Sequence, residues 1–462
     1  MIARALAAYP HPAADSALGW LAVGACGMGA VTAFAGAAAG SLPVAAIGGS
    51  LLAAGLAVAL AARIVEPLQM LVVALPLPPL FSSDDLRISA ALLVTILIIV
   101  ASIMRAPAEP TRQSLRGVLP WGTLAALLAT VIAAGAVSAY RLAAARELFN
   151  WLLFVGLLFV VARELLLRPS QRHVLAMTIA ALGAVCGVLA LLQLTGMLPG
   201  RFPIPGTSLH RATLGFGWPN ELGMFLALAL PFAAYAVTTA TTRAARVIAV
   251  CGAVAVGIGL IATFSRASWL AVLLAPLVLL VAGGGRVALR VWAVALAVLF
   301  IVDVASGGAI QARILSTIGD WVVEQRAALM LAGLLMFLDN PLTGVGPGGF
   351  EPALDHYGAQ LSWLWDYLPT AQNGYVQMAA ETGAIGLAAL LLFLGTVLRR
   401  LLRSARSARQ GADAALRRTV LWSFTTAVLL AFNEWIFAHG IAQLIVIVVA
   451  LGLTLPAAAE AS

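Results

Sequence analysis

Apolar residues run in long stretches from residue 18 to residue 303 and again from 383 to 456, with short polar clusters between them. A run of roughly 20 apolar residues matches the hydrocarbon thickness of a bilayer. The pattern predicts spans at 18–38, 42–62, 68–81, 86–104, 118–138, 148–167, 174–194, 222–240, 245–263, 267–283, 286–303, 383–400, 419–437 and 440–456. The third is short and interrupted by Pro76, Pro78 and Pro79, which predicts a broken or re-entrant segment. Between 304 and 382 the pattern changes to a long segment rich in tryptophan, proline and apolar residues, unlike a tether. Within it, 321–338 reads as a helix that starts after Asp320 and is stopped by Asp339, Asn340 and Pro341. Its unbroken apolar part, 327–338, would be about 18 Å long. That is too short to cross a membrane, and the helix is expected to lie over the outer face of the bundle.

Composition agrees with this pattern. Of the 462 residues, 62% are hydrophobic and 10% are charged, against roughly 25% charged in soluble domains, and the mean hydropathy is +1.01. The expected fold class is therefore all-α: a polytopic integral membrane helical bundle of about 12–14 transmembrane helices, with helices in one long external loop. No repeat is visible, and 1–462 reads as a single membrane domain. Arg4 followed by an apolar run and the small-residue segment at 35–40 is compatible with a signal peptide, but another span follows at once and a retained first span is the expectation. Cys26, Cys186 and Cys251 lie far apart in apolar stretches with no ligand spacing. Asp84 and Asp85, with Arg87 beside them, read as a polar turn rather than a metal site. No cofactor or metal is expected.

The 27 basic residues are all arginine and outnumber the 19 acidic ones, for a net charge of +8. Their placement orients the chain. With the arginine-dense segment 399–418 in the cytoplasm and sides alternating outward from it, 19 of the 27 arginines fall on the cytoplasmic side. This is the positive-inside pattern, and it accounts for the charge without nucleic acid. Both termini are then cytoplasmic, while 195–221 and 304–382 face outward as a short and a long periplasmic loop.

Four polar segments sit on that outer face. In 211–223 (RATLGFGWPNELG) Asn220 is placed to cap the following span, whose N-terminal N–H groups would make an anion site. In 264–271 (FSRASWLA) Arg266 sits in a short loop at membrane level, where an arginine is costly unless paired or bound to an anion. From Glu324 to Phe350, Arg326 is joined to NPLTGVGPGGF, whose four glycines, Gly346 and Gly348 among them, can present N–H groups as an anion nest. The fourth, 370–387 (TAQNGYVQMAAETGAIGL), carries Gln372, Asn373, Tyr375 and Glu381.

This ordered set resembles the O-antigen ligase and polysaccharide polymerase superfamily over roughly 205–395. The resemblance implies a metal-independent glycosyltransferase of the bacterial inner membrane with its active site facing the periplasm. It would take a glycan from an undecaprenyl-pyrophosphate-linked donor and pass it to an acceptor glycan, either a lipid-linked repeat unit or the lipid A core. By resemblance, Arg211 and Arg266 clamp the donor pyrophosphate with Asn220, and Arg326 is the third donor-side arginine. The chemistry suits arginine, which stays protonated and grips phosphate oxygens two at a time. Asn373, Tyr375, Gly346 and Gly348 fall to the acceptor or to the loop around it. The family's histidine before the motif asparagine is Gln372 here, which orients a hydroxyl through its amide but takes no proton. The alternatives for a base are His356, His210 and Glu381. The NGYVQ continuation resembles polymerases more than ligases. A lipid-glycan transporter or flippase is the competing reading, favoured by the broken third span.

Overall fold

The structure is a computed structural model that describes residues 67–77, 79–82, 87–103, 115–204, 210–315, 321–357, 370–407, 411–437 and 440–455. The expected spans at 18–38 and 42–62, and the Asp84–Asp85 turn, lie outside these. The fold is all-α, with two short two-stranded ribbons. Among the described residues six helices are long and apolar enough to cross a membrane, and the chain is a multi-pass membrane protein.

The described residues divide into two compact units that interleave along the chain. The first takes residues up to 105, 170–265 and 439–444. It opens with α1 (Pro67–Ala74), the ribbon β1 (Pro79–Ser82) and β2 (Arg87–Ser89), and α2 (Ala90–Ile103). The proline-interrupted third span is thus an eight-residue helix that ends before Pro76 and passes into a strand, as the missing N–H groups and fixed φ of proline demand. The core of this unit is α5 (Gln171–Leu194), α6 (Pro219–Thr239) and α7 (Arg243–Ala262), packed against one another. Close approach is made possible by small residues: a methyl group on Gly187 of α5 would run into the Ala255 carbonyl of α7, and one on Gly183 would lie 2.9 Å from Ala229 of α6.

The second unit takes 106–169, 266–438 and residues from 445 onward. It holds α3 (Trp121–Val137), α4 (Arg141–Leu167), α8 (Arg266–Leu274), α9 (Leu277–Val281), α10 (Gly285–Ala305), α11 (Ala309–Leu315), α12 (Trp321–Asp339), α13 (Phe350–Tyr357), α14 (Gly374–Ser407) and α15 (Ala412–Leu430). The last described helix is α16 (Ile441–Thr454). The expected span at 267–283 is two helices, α8 and α9, because Pro276 interrupts the run. The span expected at 383–400 is part of a longer element: α14 begins at Gly374 and is bent at Gly383, whose φ is 66°.

α12 occupies the predicted 321–338 almost residue for residue. One face, Leu329, Ala332 and Met336, packs with Phe350, Ala353 and Leu354 of α13 and Ala380 of α14 in a buried cluster. Its opposite face exposes Leu331, Leu335 and Leu338. At its end Asp339 accepts from the Tyr357 hydroxyl; burial first, and then this carboxylate, holds that phenol above its ordinary pKa.

Candidate active site

In the first unit the site is built around Arg211. β3 (Phe202–Pro203) pairs with β4 (His210–Arg211), placing His210 opposite Pro203. The chain then leans on the C-terminal end of α7: Ala212 donates its N–H to the Ala262 carbonyl at 3.0 Å, and Arg211 Nε donates to the Thr263 carbonyl at 2.7 Å. A cation at the carbonyl end of a helix is favourable. Arg211 Nη2 donates to Asn220 Oδ1 at 2.6 Å, so the guanidinium is held through two separate nitrogens and its plane is set.

Asn220 does not cap α6. The helix begins one residue earlier at Pro219, whose fixed φ suits the first helical position, and the cap position is the extended Trp218 without a side-chain bond. As the second helical residue, Asn220 instead turns its amide oxygen to Arg211. Below them Gln193 of α5, 1% exposed, binds the turn that follows. Its Oε1 accepts from the N–H groups of Thr213 and Leu214 at 2.8 and 3.0 Å, and its Nε2 donates to the Pro199 carbonyl at 2.8 Å. No pattern in the sequence marks Gln193 as a support for Arg211.

In the second unit Arg266 is the first residue of α8 and is half-buried. It follows Phe264, which is held in the left-handed region at φ 47°, a costly conformation for an aromatic residue.

Arg326, expected on the donor phosphates, is engaged within the protein. Its Nη2 lies 2.7 Å from Glu434 Oε1, and Nη1 donates to the Asn433 carbonyl at 3.0 Å. Both partners belong to the segment just after α15, more than 100 residues away in sequence.

The glycine loop is likewise committed. Val345 donates its N–H to the Ala380 carbonyl at 2.9 Å and Gly346 to the Glu381 carbonyl at 3.0 Å. The Glu381 carboxylate accepts from the backbone of Gly348 and Phe350 and from Gln377 Nε2, the last at 2.7 Å. The loop N–H groups of Gly348 and Phe350 are thus taken up by the side chain of the chain's own Glu381, which is 4% exposed. The glycines also permit contact with the α3–α4 junction. A methyl on Gly346 would strike Ser138 Oγ, and one on Gly348 would lie 2.8 Å from the Ala143 carbonyl.

The fourth motif opens α14. Asn373 is the cap, its Oδ1 accepting from the N–H groups of Tyr375 and Val376 at 3.0 and 3.1 Å, while its Nδ2 donates to the Phe432 carbonyl at 2.9 Å. The Tyr375 hydroxyl donates to the Val428 carbonyl at 2.9 Å, and its ring lies 4.6 Å from that of Phe432. Gln372 differs from these neighbours. It has φ 53° and is 6% exposed. One end of its amide is held by Thr370 Oγ1 at 2.9 Å, and the other end is buried without a partner. A strained backbone carrying an unsatisfied buried polar group is a costly combination, typical of a site that awaits a ligand. His356, in the last turn of α13, is exposed with its ring against Tyr357.

Among the described residues no group of three or more His, Cys, Asp or Glu is placed to hold a metal. No curated protein matches the chain. Residues 251–391, which hold Arg266, Arg326, the glycine loop, Gln372 and Glu381, match the family described as O-antigen ligase, and over this stretch the chain is similar to the O-antigen ligase-like membrane proteins.

Proposed function

We propose that the chain transfers a glycan from an undecaprenyl-pyrophosphate-linked donor to an acceptor sugar on the periplasmic face of the bacterial inner membrane. The observation that carries this reading is the immobilised guanidinium of Arg211, fixed by Thr263 and Asn220 beside the first turn of α6. A helix N-terminus and an oriented guanidinium together favour an anion. Arg266 is itself the first residue of α8, at that helix's N-terminus. As the bond from the sugar to the pyrophosphate breaks, charge grows on phosphate oxygens, and preorganised cations stabilise that state more than the ground state. Each of the two arginines is proposed as a phosphate ligand.

The acceptor hydroxyl is assigned to Gln372. A hydroxyl both donates and accepts, so it satisfies whichever end of the buried amide is left without a partner. The NGYVQ continuation at 373–377 favours a second lipid-linked repeat unit as acceptor over the lipid A core. Cells lacking the chain should accumulate single lipid-linked repeat units and lose the polymer, and the intact gene should restore it. Accumulation of unpolymerised glycan on the cytoplasmic side would instead favour a flippase.

A further inference from the structure

We propose that Phe202 and Trp218 form the subsite for the sugar ring joined directly to the donor pyrophosphate; this rests on the transfer reaction proposed above. Both residues lie outside the matched stretch 251–391. Two independent features of the first unit bring them to Arg211. In the ribbon, Phe202 is the register partner of Arg211, and directly opposite residues of an antiparallel pair carry their side chains on the same face. Pro203 and His210, the next pair, take the other face. Trp218 comes from the helix side. It is the extended residue before Pro219 and stands two positions before Asn220, whose Oδ1 accepts from Arg211 Nη2 at 2.6 Å. The rings of Phe202 and Trp218 meet with 5.6 Å between centroids and 50° between planes.

Rings inclined in this way make a corner rather than a closed stack. Both residues are half-buried, so each keeps part of its surface open. The turn that leads to Trp218 is held from below, because Gln193 Oε1 accepts from the N–H groups of Thr213 and Leu214. It reaches Trp218 through Gly217, which is exposed, has φ 81°, and has open space beside it: a methyl there would meet nothing within 4 Å. Glycine supplies the left-handed conformation without placing a side chain in that space.

A pyranose ring presents C–H groups on its faces and hydroxyls around its edge. An aromatic face binds such a surface by apolar burial and by attraction of the C–H groups to the ring's negative face. In the donor, the pyrophosphate carries this sugar on one side and the isoprenoid chain on the other. The place of the aromatic corner selects the sugar. α6 carries the apolar run from Pro219 onward, and an isoprenoid follows that run, whereas Phe202 and Trp218 precede it in the ribbon and the turn. With the pyrophosphate on Arg211, the sugar is the part of the donor that extends to these rings.

The test uses the full chain in vesicles, with lipid-linked glycan extracted from cells that lack it. It measures two constants: the KM for that donor, and the inhibition constant of undecaprenyl pyrophosphate, which has the phosphates and the isoprenoid but no sugar. A wild-type protein that releases no pyrophosphate carrier would overturn the transfer reading and the subsite with it. Given wild-type transfer, Trp218→Leu keeps the apolar bulk but loses the aromatic face, and should raise the donor KM by about 3- to 10-fold, the worth of one aromatic contact. The inhibition constant should stay unchanged. Trp218→Phe should restore most of the donor affinity, while Arg211→Lys, which acts on the phosphates, should weaken both lipids alike. An unchanged donor KM in Trp218→Leu would overturn the subsite and leave the transfer reading standing. Equal weakening of donor and undecaprenyl pyrophosphate would do the same, since it would assign the ring to the isoprenoid or to anchoring in the membrane interface. If Trp218→Leu does not reach the membrane, Phe202→Leu decides by the same two constants: a raised donor KM at an unchanged inhibition constant is expected, and any other pattern overturns the proposal.

Discussion

Gly346 donates its N–H to the carbonyl of Glu381 at 3.0 Å, and the Glu381 carboxylate turns back to accept from the next residues of the same loop. One residue of α14 thus supplies, from its carbonyl and its side chain, acceptors for the N–H groups of the glycine-rich loop. Glu381→Gln puts an amide N–H against backbone N–H donors. It should destabilise the folded protein by about 1–3 kcal/mol, the cost of leaving buried polar groups unsatisfied, read as a lowered midpoint of thermal unfolding in detergent. Gly346→Ala should do at least as much, since φ is 102° there and the methyl would meet Ser138. Unchanged unfolding in both variants would remove the structural role of this contact.

Arg211 is fixed through two separate nitrogens, Nε to Thr263 and Nη2 to Asn220, and the single nitrogen of a lysine cannot reproduce that planar, two-pronged spacing. Arg211→Lys should therefore lose transfer activity by about 10- to 100-fold, matching one or two charge-assisted hydrogen bonds, with normal amounts of folded protein. Arg266→Ala should be inactive. Near-normal activity of both Arg→Lys variants in a cell complementation assay would contradict the guanidinium-specific grip. Gln193→Leu, which removes the acceptor for Thr213 and Leu214, should raise the donor KM without altering phosphate chemistry directly.

Gln372 carries a positive φ, a conformation that histidine adopts more readily than most residues. Gln372→His should fold, retain transfer, and add an ionisation near the ordinary histidine range to the pH–rate profile. Gln372→Ala should raise the acceptor KM because the hydroxyl loses its partner. Equal acceptor KM in Gln372→Ala and wild-type protein would remove Gln372 from the acceptor site.

The orientation rests on arginine distribution. With Cys26, Cys186 and Cys251 replaced, a cysteine at the exposed Asp355 position should react with an impermeant thiol reagent on intact cells, and one at the exposed Ser407 position should not. The reverse pattern would invert the topology.

The features written locally in the sequence were legible there. The bounds of α12 followed from Asp320 on one side and Asp339, Asn340 and Pro341 on the other, and the break of the third span from its prolines. Hydropathy placed the start of the later span at 383 because residues 374–382 include Gln377 and Glu381, polar side chains that the helix turns inward to the loop rather than to lipid. The Asn220 position was misread for a related reason. A cap residue and a first-turn residue look alike beside a proline, and the partner that decides between them, Arg211, lies nine residues away. Gln193 was not legible as a site residue, since its contacts with the Thr213 turn join elements distant in sequence.

The central claim is glycan transfer from a pyrophosphate carrier, and stoichiometry tests it most directly. Purified full-length protein, given undecaprenyl-pyrophosphate-linked glycan and acceptor, should release one molecule of undecaprenyl pyrophosphate for each glycosidic bond formed, and Arg211→Ala should abolish both together. Donor moved across the vesicle membrane with its glycan still attached and no carrier released would contradict the account.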